Sequence, residues 1–516
     1  MTASRRDSLL GILSVLGLYL ATIAIVHPFG DFPLNDDWAF ASMVKTYVET
    51  GIVRFSSWPK MTFLAQLFYG ALFARLFDFS HVILRISTMV LGGSALMLFF
   101  VMLRFAGITV SRAVLGSVVL SSNPFFLGSC FTFMTDIPYL FAVFAAVLLY
   151  AWSCEHDNWW MLLLAGATAG IAGLVRQTGI LLPVAAAAVM VWNKGEWKSR
   201  LVKLGVFGFF PAASLAGFEI WMRYIHGLPP ETWRAHYLHY FAGPALLIQN
   251  IVEVPAVAIC YLGLLLLPIT LPFGIAWLRT YRTRSTSLAG IFALLALAGF
   301  SIVRAAKGEW MPYQGNMWFD QKTFGQGPYN LKDVSILVQT DAVACPDWIF
   351  YATTVLSVIL GALVVSLFWL GWSRMRRAPT VVKFSLAAAL LHPGFFVFIN
   401  FYFDRHLLPV FPFVILVLLF NLRELRPRPA WICVCVLVLY AVTVAGVYHY
   451  HRWNEARWTA IGYLTKEVGA SVSEIDGGFE YNGWMFFEDY FPPPEGEKSW
   501  WWVWDDKYII SFSKIT

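Results

Sequence analysis

The chain has 516 residues, 59% of them hydrophobic and only 13% charged, with a mean hydropathy of +0.64. Soluble domains carry nearer a quarter charged residues, so this composition excludes a soluble enzyme and implies an all-α polytopic membrane protein. The net charge of +6 is carried by short loops between apolar stretches, a topological signature that gives no support for nucleic-acid binding.

A spanning helix needs roughly 20 apolar residues. Thirteen stretches are predicted to cross: 8–27, 85–104, 112–129, 137–153, 160–174, 179–193, 201–221, 255–278, 286–303, 349–372, 381–399, 407–421 and 430–448. The fifth, sixth and twelfth are short. The opening SRRDSLL precedes a long apolar run without a convincing small-residue cleavage site, which reads as a retained signal anchor. Arg5 and Arg6 flank it. Alternate loops then carry Lys194, Lys198 and Arg200, then Arg279, Arg282 and Arg284, then Arg374, Arg376 and Arg377, then Arg423, Arg426 and Arg428. Basic short loops stay cytoplasmic, so the N-terminus is expected inside and the C-terminus outside.

The polar mass then falls on the outer side. The predicted organisation is a transmembrane domain over 1–448, with outer loops 28–84, 222–254 and 304–348, and a small extracytoplasmic α/β domain over 449–516. Within the first loop, 61–77 is apolar, but a full span there would invert the positive loops downstream, so it reads as an interfacial helix. The 304–348 loop has no helical or strand period and reads as an irregular lid. IDGGFEYNGW in the tail reads as a strand and turn. Cys130 and Cys345 both lie towards the outer side, where a disulfide is allowed but unsupported.

Three sets of outer residues could carry chemistry. Asp36 and Asp37, in NDDW, follow the first span; carboxylates there are costly unless water or substrate reaches them. Adjacent helical side chains diverge by about 100°, so one acid serves as base while the other orients or caps. The plain alternative is an N-cap at Asn35 or Asp36. Asp136, in FTFMTDIPYLF, is equally readable as a helix entry before Pro138. Lys60, Arg85, Arg176 and Arg405 sit at predicted outer helix ends, where they suit an anionic phosphate or simply snorkel to lipid headgroups. Trp58 and its fellow aromatics read mainly as an interfacial belt. A divalent cation bridging Asp36, Asp37 or Asp136 is chemically allowed, with no His-rich ligand set to support it.

Taken in order, NDDWAFASMVKTYVETG, LFDFSHVILRIST, TDIPYLF, DRHLLPVFP and GGFEYNGW resemble the GT-C superfamily of polyprenyl-phosphate-sugar-dependent glycosyltransferases. The resemblance is to the bacterial branch related to protein mannosyltransferases and the lipid A aminoarabinose transferase, and it covers nearly the whole chain. It implies a multi-pass inner (plasma) membrane protein whose active site faces the periplasm or exterior. It further implies inverting transfer of a hexosyl or pentosyl unit from a polyprenyl-phosphate carrier to an envelope lipid, glycan or protein. Asp36 or Asp37 would match the family's first-loop acid, with a slight preference for Asp37 as base; Asp136 would match its second acid. Lys60, Arg85, Arg176 and Arg405 would meet the donor phosphate, although WPKMTF departs from the usual acidic-Lys-Pro-Pro pattern around the lysine. The competing readings are a transporter or flippase and a polysaccharide polymerase or ligase. No internal repeat and no midplane charges favour the transporter.

Overall fold

The computed structural model describes residues 3–56, 58, 61–193, 196–227, 241–280, 283–315, 347–400, 402–490 and 508–509. The helices are α1 (Ala3–Val26), α2 (Asp37–Thr50), α3 (Leu64–Phe77), α4 (His81–Phe105), α5 (Val110–Ser121), α6 (Pro124–Cys130), α7 (Asp136–His156), α8 (Trp159–Val175) and α9 (Leu181–Trp192). They continue with α10 (Trp197–Trp221), α11 (Pro244–Leu265), α12 (Leu267–Thr280), α13 (Arg284–Ala305), α14 (Asp347–Leu370), α15 (Thr380–Phe396), α16 (Val410–Asn421), α17 (Pro429–Tyr463) and α18 (Phe479–Tyr490).

All thirteen predicted stretches are helical, but length sorts them differently. Among the described residues nine helices are long and apolar enough to cross a membrane, or ten if the bent pair α5–α6 is one span. The shortfall against thirteen lies in α8, in 177–192 and in α15, which are apolar but shorter. The stretch predicted as short at 407–421 instead reaches 18 residues, because a 3-10 turn at Asp404–Leu407 leads into α16. The α5–α6 break bends by 68°. Its cause is local: Asn123 accepts from the backbone N–H groups of Phe125 and Phe126, and Pro124 occupies the first turn, so a new helix starts there. The predicted 255–278 segment begins earlier, at Pro244, and divides between α11 and α12.

The contacts divide the polar segments into two groups. At one end, Arg112 donates to the carbonyls of Leu422 and Leu425, Arg374 to that of Asn421, and Lys383 to the Asn193 side chain. These join the basic loops with one another. At the other end, the 28–37 segment meets residue 133, residue 405 and the tail. These contacts bring three of the predicted basic loops together, and the acid-bearing first loop meets a different set of residues.

Helix α3 is 14 residues long and buries Gln66, Leu67, Gly70, Ala71 and Ala74. A Cβ on Gly70 would sit 2.6 Å from the Phe133 ring, so glycine lets α3 seat closely beneath the segment before α7. Its opposite side leaves Phe68, Leu72, Leu76 and Phe77 exposed, the pattern of a helix lying against an apolar phase.

The tail is continuous with the bundle, because α17 runs unbroken through the 448/449 position. Strand β1 (Ile475–Asp476) pairs in parallel with β2 (Tyr508–Ile509), and a turn follows it, as expected at the start of IDGGFEYNGW. The rest is helix, for a local reason. Asp476 accepts from the Gly478 N–H and the Asn482 amide, Gly478 adopts φ +82°, and this turn launches α18. Cys130 is buried with a free thiol, and Cys345 lies outside the described residues.

Candidate functional site

The NDDW turn is the most constrained piece of the first loop. Asn35 is in the left-handed region at φ +57°, and its side-chain oxygen accepts from the Asp36 N–H at 2.8 Å. Asp36 occupies the N-cap position of α2 yet makes no side-chain cap bond. Its carboxylate instead accepts from Trp58 Nε1 at 3.1 Å and from Arg405 Nη2 at 2.9 Å. Arg405 also reaches Asn35 Oδ1 at 3.4 Å and lies over the Phe403 ring. Its guanidinium is buried, while the Asp36 side chain keeps 19% of its exposure. The capping explanation for Asp36 therefore fails on geometry.

Asp37 has the opposite surroundings. It is 2% exposed, and its two oxygens accept from separate backbone groups, Leu34 N–H at 2.6 Å and Phe133 N–H at 3.1 Å. Burial pushes its carboxyl up to about 7, against the nearby Arg85 charge and these two hydrogen bonds. A general base must reach the proton that it removes. Asp37 is spent on tying the first loop to the segment before α7, whereas Asp36 keeps an accessible edge.

A second acid–arginine pair lies alongside. Asp136 opens α7 without a cap bond from the preceding Thr135, and one of its oxygens is bonded to Arg176 Nη1. Both residues are buried. Arg176 is placed by a break in the chain: at φ −143° and ψ 135° it ends α8 and precedes the 3-10 turn Gln177–Ile180. Gly179 permits that turn, since a Cβ there would lie 2.5 Å from the Gly173 backbone nitrogen. The first loop docks on the same break, through Thr62 to the Gly173 carbonyl and the Phe63 N–H to the Val175 carbonyl.

The two pairs form one electrostatic cluster. Asp136 acts on Arg405, and both Arg176 and Arg405 act on His406. His406 accepts from the Phe403 N–H through Nδ1 and stacks on Phe396. Its Nε2 and the second oxygen of Asp136 are buried without a hydrogen-bond partner among the described residues. Orphaned buried polar atoms beside these ion pairs suit a polar ligand, with the Asp136 oxygen calling for a hydrogen-bond donor. Among the described residues, no group of three or more His, Cys, Asp or Glu side chains could hold a metal ion, so the divalent-cation expectation gains no donor set.

Other expected site residues lie elsewhere. Arg85 is fully buried and donates to the carbonyls of Pro28, Gly30 and Phe32. Its terminal nitrogens are committed to bracing the loop after α1. Lys60 lies outside the described residues. Asn35, Trp58 and His406 join the cluster without having been selected as site residues. Trp58 reads in the sequence as one belt aromatic among many, and only its indole bond to Asp36 distinguishes it.

Residues 64–216 match the dolichyl-phosphate-mannose-protein mannosyltransferase family. That stretch holds Asp136 and Arg176, while Asp36 and Arg405 lie outside it. The chain is therefore similar, over this part, to glycosyltransferases that use lipid-linked sugar donors, in line with the resemblance carried by its motifs. The comparison with curated proteins returns no match. Among solved structures, the chain is similar to the protein O-mannosyltransferase Pmt1–Pmt2 complex of S. cerevisiae bound to the sugar donor, at 17% identity and a TM-score of 0.36. That alignment covers 47% of this chain and 36% of the yeast chain, so it spans about a third of the latter. ArnT from Cupriavidus metallidurans bound to undecaprenyl phosphate aligns at 13% identity and a TM-score of 0.42, over 88% of this chain and 80% of that one. An oligosaccharyltransferase of Archaeoglobus fulgidus tethered with an acceptor peptide aligns at 12% identity and 0.42, over 89% and 58%.

Proposed function

We propose that this multi-pass membrane protein is an inverting glycosyltransferase that moves a sugar from a polyprenyl-phosphate carrier to an acceptor on the extracytoplasmic side. The observation that carries the reading is the paired arrangement of Asp36 with Arg405 and Asp136 with Arg176, two acids at helix starts that are turned away from capping and towards buried guanidinium groups. The family match over 64–216 supports the donor class. The active site faces the compartment opposite the basic loops.

In this reading Asp36 accepts the proton of the acceptor hydroxyl or amine as its oxygen or nitrogen attacks the anomeric carbon. The bond from that carbon to the phosphate oxygen breaks on the opposite face, and its electron pair leaves with the lipid phosphate. Arg405 and Arg176 meet the charge that develops there, which in a water-poor site is a large contribution. Asp136 holds the Arg176 fork in place and offers its free oxygen to a substrate hydroxyl. Asp37 locks the loop and does not touch the substrate. The acceptor is an envelope lipid, glycan or protein.

The test is purified protein in lipid vesicles, supplied with a panel of sugars on undecaprenyl or dolichyl phosphate together with envelope extracts as acceptor. Transfer that disappears in Asp36→Asn and persists in Asp37→Asn is expected. Movement of the carrier across the bilayer without sugar transfer, unaffected by Asp36→Asn, would instead make the protein a flippase.

A further inference from the structure

The tail contributes to the site through a residue that sits in neither the family-matched stretch nor the cluster of acids and arginines. Glu480, near the start of α18, is 3% exposed and surrounded by donors. Its Oε1 accepts from the Asn35 N–H at 3.1 Å and from the Tyr450 hydroxyl at 3.4 Å. Its Oε2 pairs with Arg457 at 2.8 Å, and Arg457 in turn reaches Asn454 Oδ1 at 2.7 Å. Arg457 and Tyr450 both belong to α17, so Glu480 fastens the first loop to the last long helix.

Asn35 is the residue that transmits this anchor. Its left-handed φ of +57° is uncommon outside glycine and persists only where neighbours over-determine it. Its N–H goes to Glu480, while its side-chain oxygen receives both the Asp36 N–H and Arg405 Nη1. The direction in which Asp36 meets Arg405 is thus set by one backbone turn whose amide is held from the tail. Helix α18 also packs against the start of α2 beside this turn. Gly483 lies against Trp38 so closely that a Cβ would be 2.5 Å from the indole, and Phe487 packs on the same ring at 5.1 Å.

We infer that Glu480 is a positioning residue, holding the Asn35 turn so that Asp36 and Arg405 keep their mutual geometry. The inference rests on the transferase reading for its catalytic consequence, but its structural content is independent of it. Deleting Glu480 alone would strand the buried Arg457 charge. The informative variant is therefore Glu480→Leu combined with Arg457→Met, because replacing a buried ion pair by apolar residues of similar size is often tolerated. It removes the acceptor for the Asn35 N–H and leaves no uncompensated charge. Glu480→Gln, made in the same Arg457→Met background, is the conservative companion, since its amide oxygen can still accept that N–H and no charge is left unpaired.

Two readouts separate the inference from the function on which it builds. Hydrogen–deuterium exchange of a peptide spanning 33–38, in full-length protein in detergent, is expected to accelerate at least tenfold in the apolar double variant and by less than threefold in the Glu480→Gln companion. Transfer from a lipid-phosphate sugar is expected to fall at least tenfold in kcat in the apolar double variant, with the donor KM within threefold, and to return to within about fivefold of the parent in the Glu480→Gln companion. Unchanged exchange at 33–38 in a folded apolar double variant would overturn the inference, and so would faster exchange with full kcat. A wild-type protein that transfers no sugar would refute the transferase reading alone, and the exchange result would still decide whether Glu480 holds the turn.

Discussion

Asp36 and Arg405 stand 369 positions apart in the chain, and their side chains meet at 2.9 Å. Neither is solvent-exposed enough for the pair to be incidental: the guanidinium retains 5% of its side-chain exposure and the carboxylate 19%. Surface pairs are worth about 0–1 kcal/mol, whereas a pair taken out of water must be stabilised by further hydrogen bonds. Trp58 and Asn35 supply them.

Asp36→Asn keeps the size of the side chain and can still accept the Trp58 N–H, so the fold should survive. It cannot take up a proton as the acceptor attacks. A loss of roughly 10²- to 10⁴-fold in kcat is expected, together with a lower thermal midpoint, because the buried Arg405 loses its charge partner. Steady-state transfer and a melting curve on the same preparation check both halves.

Asp37 gives a pH-dependent signature of a different kind. Burial raises its folded carboxyl from 3.8 to about 7. Between those values the folded protein holds a proton that the unfolded chain has released, so this group's contribution to stability falls as pH rises through the window and levels off above it. Each unit is worth about 1.4 kcal/mol. Asp37→Asn should abolish that part of the slope in melting curves taken between pH 4 and 8. It should also cost ~1–3 kcal/mol at the acid end, because one of the Leu34 and Phe133 N–H groups loses its acceptor. Transfer should remain above about a tenth of the parent's, since nothing catalytic is removed.

The Asp136–Arg176 pair separates stability from catalysis. Asp136→Asn leaves a buried, uncompensated guanidinium and should destabilise by about 3–5 kcal/mol. Asp136→Leu with Arg176→Met should recover most of that stability, measured by chemical or thermal unfolding in detergent, yet remain inactive. A double variant that regains transfer would make the pair purely structural.

Gly179→Val tests how Arg176 is placed. The added Cβ would lie 2.5 Å from the Gly173 nitrogen and 2.7 Å from its Cα, and backbone atoms in packed helices cannot retreat cheaply. The turn should shift by several tenths of an ångström. Misplacements near 1 Å can cost ~100-fold in rate. Donor KM is expected to rise along with the loss in kcat, in contrast to Asp36→Asn.

Hydropathy made the helices legible because apolar runs near 20 residues admit few alternatives. The α5–α6 break was written in the sequence as Asn123–Pro124, a cap followed by a proline, but the apolar run on either side masked it. Which member of NDDW faces the cluster was not legible. Asp36 and Asp37 are chemically identical neighbours, and the choice depends on the left-handed backbone of Asn35 and on an N–H from Phe133, almost a hundred residues away. For Arg85 nothing in the sequence pointed to its partners: an arginine at a helix end looks like a phosphate ligand, and its terminal nitrogens donate to the carbonyls of Pro28, Gly30 and Phe32. Glu480 lies in GGFEYNGW, one of the motifs that carry the resemblance, but nothing in that motif marked it as a partner of the first loop.

The most direct measurement is single-turnover transfer of a radiolabelled sugar from undecaprenyl phosphate by the purified protein in vesicles, comparing the parent with Asp36→Asn and Asp37→Asn. Transfer by the parent and by Asp37→Asn, with the Asp36→Asn rate at least about a hundredfold lower, is the expected result. Loss of transfer in Asp37→Asn with full activity in Asp36→Asn would contradict the account.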